Sequence, residues 1–149
     1  MKTLYEHAGG HEGLHRFVTI FYHSLLKDPL LQPLFGTGRP THIDHLTAFT
    51  AETFGGPDTF SRTMGGFPML IDAHRHLKIT PEQRQRFIDL FMAAADAADL
   101  PDDPPFRQAL REHVEFGTEV AMQNSHAETD DQLHPLREVP MWDWPSSTS

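Results

Sequence analysis

At 149 residues the chain has the length of one domain, enough to bury about two-thirds of its unfolded surface around a core and one small-molecule pocket. Its formal charge of −9, from 12 basic and 21 acidic residues, repels phosphate backbones and anionic lipid, so nucleic acid and membrane are poor partners. The absence of cysteine excludes disulfides, iron–sulfur clusters and thiolate metal sites.

In chain order the apolar residues fall at helical spacing. After Gly9-Gly10, a single stripe carries Leu14, Phe17, Val18, Phe21, Tyr22 and Leu25. Lys27-Asp28-Pro29 ends it, with Asp28 as a cap and Pro29 at the first position of a short helix holding Leu30, Leu31, Leu34 and Phe35. A loop over Gly36–Pro40 leads to Thr41, expected as N-cap of a helix with Asp44 three residues on. That helix sets His42, Leu46, Phe49 and Thr53 on one face, with His45 beside it, and Gly55-Gly56-Pro57 stops it.

Residues 58–79 are irregular in pattern, with a brief helix expected from Pro68 that groups Leu70, Ile71 and His74. Thr80-Pro81-Glu82-Gln83 is a strong helix start, followed by Phe87, Ile88, Phe91, Ala94, Ala95 and Ala98 on one stripe. Leu100-Pro101-Asp102 ends it, and Asp103-Pro104 opens a last long helix with Phe106, Leu110, His113, Val114, Gly117, Val120 and Ala121 inward. No alternating β-branched run is long enough for a sheet, so the expected class is all-α. The division expected is a domain over 1–126 and a C-terminal extension over 127–149. Trp142 and Trp144 lie in that extension and suggest that it docks on the domain rather than fraying.

No apolar run approaches the roughly 18 residues of a membrane span. The N-terminal residues lack an apolar export core, which points to the cytoplasm. Eleven histidines are many for this length. His42 and His45, and likewise His11 and His15, have spacings compatible with zinc, but each pair needs further convergent ligands. Read from local sequence alone, His74 is a loop histidine ahead of a helix start, and His76 is its rival two residues on.

Taken together, several features over about Leu4 to Gln123 resemble the truncated haemoglobins, especially their second group. They are Gly9-Gly10, Phe21-Tyr22, Asp28-Pro29-Leu30-Leu31 with Phe35, Phe54-Gly55-Gly56-Pro57, Pro68-Met69-Leu70, His74 and Ile79-Thr80. The resemblance implies a shortened globin fold, two helix pairs sandwiching a haem b. It makes His74 the proximal iron ligand, and it lines the haem with Phe35, Leu46, Phe49, Met69, Leu70, Leu77, Lys78, Ile79 and Phe87. It places Tyr22, His42, Leu46 and Phe87 on the ligand side and offers His45 as a sixth iron ligand. Lys78 or Arg75 would meet a haem propionate.

Two departures stand out. Phe87 occupies the place of a tryptophan, whose N–H it lacks, and His42 stands where a small residue is common. The function implied is reversible binding of dioxygen and other diatomic ligands, with a reductase and a homodimer left open. The alternatives are a haem peroxidase or nitric-oxide dioxygenase, and a haem-free helical zinc module.

Overall fold

Helix-spaced apolar stripes build the long elements among the described residues of this chain. The computed structural model describes residues 3–35, 40–64 and 77–132. Among them run α1 (Leu4–His7), α2 (Gly10–Lys27), α3 (Gln32–Phe35), α4 (Pro40–Thr53), α5 (Thr59–Thr63), α6 (Pro81–Ala97) and α7 (Pro104–Ser125). A single 3₁₀ turn follows at Asp130–Gln132. The architecture is the shortened globin fold: α2 packs on both α4 and α6, and α6 packs on α7.

The starting signals at Thr80 and Asp103 are realised. Thr80 accepts from the Gln83 amide at 3.1 Å while the Gln83 side chain accepts from the Thr80 amide at 3.0 Å. Asp103 caps α7 through the Phe106 amide and receives a hydrogen bond from His7 Nε2 at 2.8 Å. That bond to His7 is the main reason the Asp103 carboxyl titrates below its usual range. It also ties the first helix to the last.

The stop at Gly55 is also as expected. Gly55 adopts φ +89°, which glycine alone takes cheaply, and the Gly56 amide reaches back to the Ala51 carbonyl at 2.8 Å. A Cβ on Gly56 would fall 2.7 Å from the Tyr5 ring, so α1 sits against this turn by way of a missing side chain.

Four local expectations are corrected. The helix after the first loop begins at Pro40, so Thr41 lies inside it rather than capping it; proline suits a first turn because it has no amide to leave unpaired. The short helix begins at Gln32, not Pro29. Asp28 does cap, but it caps a turn: its Oδ1 accepts from the amides of Leu30 at 2.9 Å and Leu31 at 3.2 Å. Finally, α1 and α5 were not anticipated, α5 being a five-residue turn of helix inside the stretch of irregular pattern.

The core is aromatic. Phe17, Phe21 and Phe91 are fully enclosed, with Phe91 edge-on to the other two at centroid distances of 4.8 and 5.2 Å.

Candidate functional site

Tyr22 follows Phe21 on the inward stripe of α2 and is only 3% exposed. His42 stands in the first turn of α4, across from it. The Tyr22 hydroxyl and His42 Nδ1 form a hydrogen bond, with ring centroids 5.5 Å apart and planes 82° apart. Phe35, at the end of α3, presents an edge-to-face contact to Tyr22 at 6.0 Å. Two polar groups from different helices therefore meet inside an aromatic corner, and burial makes that pairing necessary: an unpartnered hydroxyl there would cost about 1–3 kcal/mol.

The core that Tyr22 belongs to has an apolar margin that is incompletely covered. Leu34, Phe35, Ile43, Leu46, Phe87 and Leu90 pack against the core but remain partly exposed. Phe87 from α6 meets Phe21 edge-on at 4.9 Å. Its position is braced from the next residue back, where Arg86 donates to Asp28 Oδ2 at 2.7 Å. Burial works to raise the Asp28 carboxyl, but the Arg86 contact and the two backbone amides outweigh it and hold it below its usual range. One turn earlier Gln83 donates to the Leu30 carbonyl at 3.2 Å. The turn that delivers Phe35 is thus clamped onto the helix that delivers Phe87.

The remaining predicted residues are more spread out. Phe49 faces Phe60 at 5.2 Å and His113 at 6.0 Å. His45 is half-buried on α4. Leu77 and Lys78 are exposed, and Ile79 is half-buried. His74, Met69, Leu70 and Arg75 lie outside the described residues, as does most of the C-terminal extension with its two tryptophans.

Sequence reasoning missed what holds residues 78–79. The end of α7 does so: the Lys78 amide donates to the Ser125 carbonyl at 3.2 Å, the Ile79 amide to Ser125 Oγ at 2.9 Å, and His126 Nε2 to the Ile79 carbonyl at 2.8 Å. Partners nearly fifty residues apart leave no local signal.

His113 is a core residue. It is 6% exposed, lies 5.1 Å from the Phe54 ring, and contacts Thr53 Oγ1 at 3.5 Å. Burial pushes its imidazole from the ordinary 6.5 down to about 4. His11 and His15 stack at 5.6 Å, and His15 Nε2 stands 4.0 Å from the Asp44 carboxylate. Among the described residues no three histidine, aspartate or glutamate side chains are grouped to hold a metal ion. A depression bordered by Tyr5, His11, Asp44, Ala48 and Met64 lies on the face of α4 opposite His42 and Leu46, away from the aromatic corner.

A sequence model of the bacterial-like globins matches residues 3–124. The chain belongs to that family. Among curated proteins nothing matches it. Solved structures agree with the family. The haemoglobin of the thermophilic phototroph Chloroflexus aurantiacus is 30% identical, with a TM-score of 0.73 over 82% of this chain and 98% of that one. The truncated oxygen-avid haemoglobin of Bacillus subtilis is 27% identical, with a TM-score of 0.70 over 79% of this chain and 97% of that one. The group II truncated haemoglobin of Bacillus anthracis, 24% identical, shares the fold with a TM-score of 0.74 over 88% of this chain and 98% of that one.

Haem-based ligand binding comes with membership of this family. The residues of this globin suit it. Leu46 and Phe87 are partly exposed and Leu77 is 36% exposed, apolar surface of the kind a flat macrocycle would cover, and the Tyr22–His42 pair adds polar atoms at the margin of the core.

Proposed function

We propose that this globin holds haem b with His74 as its proximal ligand, and binds dioxygen and other diatomic molecules reversibly beside Tyr22 and His42. One observation carries the reading: a hydrogen-bonded tyrosine–histidine pair, edged by Phe35, at the partly covered apolar margin of the core. Haem supplies an iron that, once reduced by an outside electron donor of the reductase class, takes up a diatomic molecule reversibly. Tyr22 and His42 favour a ligand that acquires negative charge. Phe35, Leu46 and Phe87 keep bulk water away, which slows oxidation. With no cysteine, the chain cannot attach a haem covalently through thioethers, which favours the b type.

Among the described residues no helix is long and apolar enough to cross a membrane. A cytoplasmic location is part of this reading, as is the name of the Bacillus subtilis relative, described as oxygen-avid.

Titration of the purified chain with hemin tests the proposal. The wild type should reach a stoichiometric end point with a strong Soret band, and His74→Gly should show no saturable uptake. An undisturbed globin spectrum in His74→Gly would transfer the ligand role elsewhere, with His76 first in line.

A further inference from the structure

His74 is followed four residues later by Lys78, where the chain is gripped by the far end of α7. Three consecutive backbone groups are taken up there. The Lys78 amide donates to the Ser125 carbonyl, the Ile79 amide donates to Ser125 Oγ, and the Ile79 carbonyl accepts from His126 Nε2. We propose that Ser125 and His126 are positioning residues for the proximal side of the haem: they fix the backbone that carries His74, and so set how its imidazole meets the iron. This rests on the haem reading above.

The grip is built from both sides. Ser125 is the last residue of α7, so its carbonyl has no partner within the helix, and the Lys78 amide supplies one. Its side chain is wholly buried and held at both ends, because Oγ donates to the Met122 carbonyl at 2.7 Å while accepting from Ile79 at 2.9 Å. His126 Nε2 faces a carbonyl, so that nitrogen carries the proton. Opposite them Lys78 has φ +53°, a left-handed backbone that a residue with a Cβ keeps only where its surroundings over-determine it. The Thr80 cap begins two residues later and does not reach Lys78. The partners that do are the residues of α7.

The end of α7 is itself part of a closed frame. Arg84, in the first turn of α6, donates to Thr118 Oγ1 at 3.1 Å and to the Glu115 carbonyl at 2.8 Å. α6 is therefore tied to the middle of α7, and the residues just before α6 are tied to its end. Four residues span at most about 14 Å, so His74 is tethered to this frame on a short chain. A firm tether limits how far an imidazole can follow the iron, and a loosened one lets it relax.

The test uses the full chain loaded with haem, reduced and free of added ligand. The resonance Raman iron–histidine stretch and the rate of hemin loss are compared in wild type, Ser125→Ala, His126→Ala and His126→Gln. His126 is exposed, so its variants should fold even if the loss of the buried Ser125 hydroxyl proves too disruptive. The stretch should move in both alanine variants, and hemin loss should quicken roughly five- to ten-fold, the worth of about one hydrogen bond. His126→Gln, whose amide can still donate to the Ile79 carbonyl, should restore the wild-type stretch. Faster hemin loss with an unmoved stretch would make the contacts structural only and overturn the proposal, as would His126→Ala behaving like wild type in both readouts. A wild type that takes up no haem would sink the functional reading and this proposal together, whereas normal uptake with an unmoved stretch sinks this proposal alone.

Discussion

Two histidines of this globin sit among aromatic rings, and they do opposite things. His113 is enclosed by Phe49, Phe54 and Phe91, with Thr53 at the edge of hydrogen-bond range, and burial drives it to the neutral form. His42 stands at the margin of the core, where its Nδ1 is committed to Tyr22 and the neighbouring apolar side chains are only partly covered. Aromatic neighbours alone therefore do not mark a site. What distinguishes the His42 region is a polar pair built from two helices, set in a wall with apolar surface still to be covered.

The sharpest way to break that contrast is through acid. Burial lowers the His113 pKa, so between about 6.5 and about 4 the unfolded chain binds a proton that the folded chain refuses. The stabilising contribution is fully present above about 6.5 and is lost as pH falls toward 4, amounting to roughly 3 kcal/mol across the window. Between pH 7 and pH 4 the denaturant midpoint of the wild type should fall relative to that of His113→Leu, which lacks this proton linkage. Parallel curves would mean that His113 is charged, or solvated, in the folded state.

A second intervention sharpens the contrast from the ligand side. Phe87 is half-exposed on the wall and donates nothing. Phe87→Trp adds an indole N–H at the position the family resemblance assigns to the ligand side, and a hydrogen bond from it to a bound ligand should slow oxygen release about ten- to a hundred-fold. Stopped-flow release from the variant checks it, and an unchanged rate would place the indole away from the bound ligand.

The smallest effect concerns the helix the two regions share. Thr50 Oγ1, on α4, is buried with no hydrogen-bond partner among the described residues. Thr50→Val keeps the shape and removes the unsatisfied hydroxyl, so the variant should be more stable by about 1 kcal/mol in urea unfolding. A loss of stability would mean that the hydroxyl is satisfied after all.

The sequence revealed the parts of this molecule that depend on near neighbours. The Thr80–Gln83 capping box, the Asp103 cap and the Gly55 stop are each completed within five residues, and each is realised. The Thr3–Glu6 box that starts α1 carries the same kind of signal and could have been read. The all-α class followed from the stripes.

Pairings between distant segments had no such signal. The Arg86–Asp28 clamp spans 58 positions, and the Ser125 hold on Ile79 spans 46. Tyr22 and His42 were each legible as site residues through family resemblance. Their hydrogen bond to each other was not, because it depends on how α2 and α4 cross.

The most direct test of the account is the absorption spectrum of the haem-loaded, reduced protein under nitrogen, then after admission of oxygen, then under nitrogen again. The account predicts a strong Soret band that shifts on oxygenation and returns when oxygen is removed. Absence of a Soret band, or immediate irreversible conversion to the oxidised spectrum, would contradict reversible oxygen binding at the Tyr22–His42 pocket.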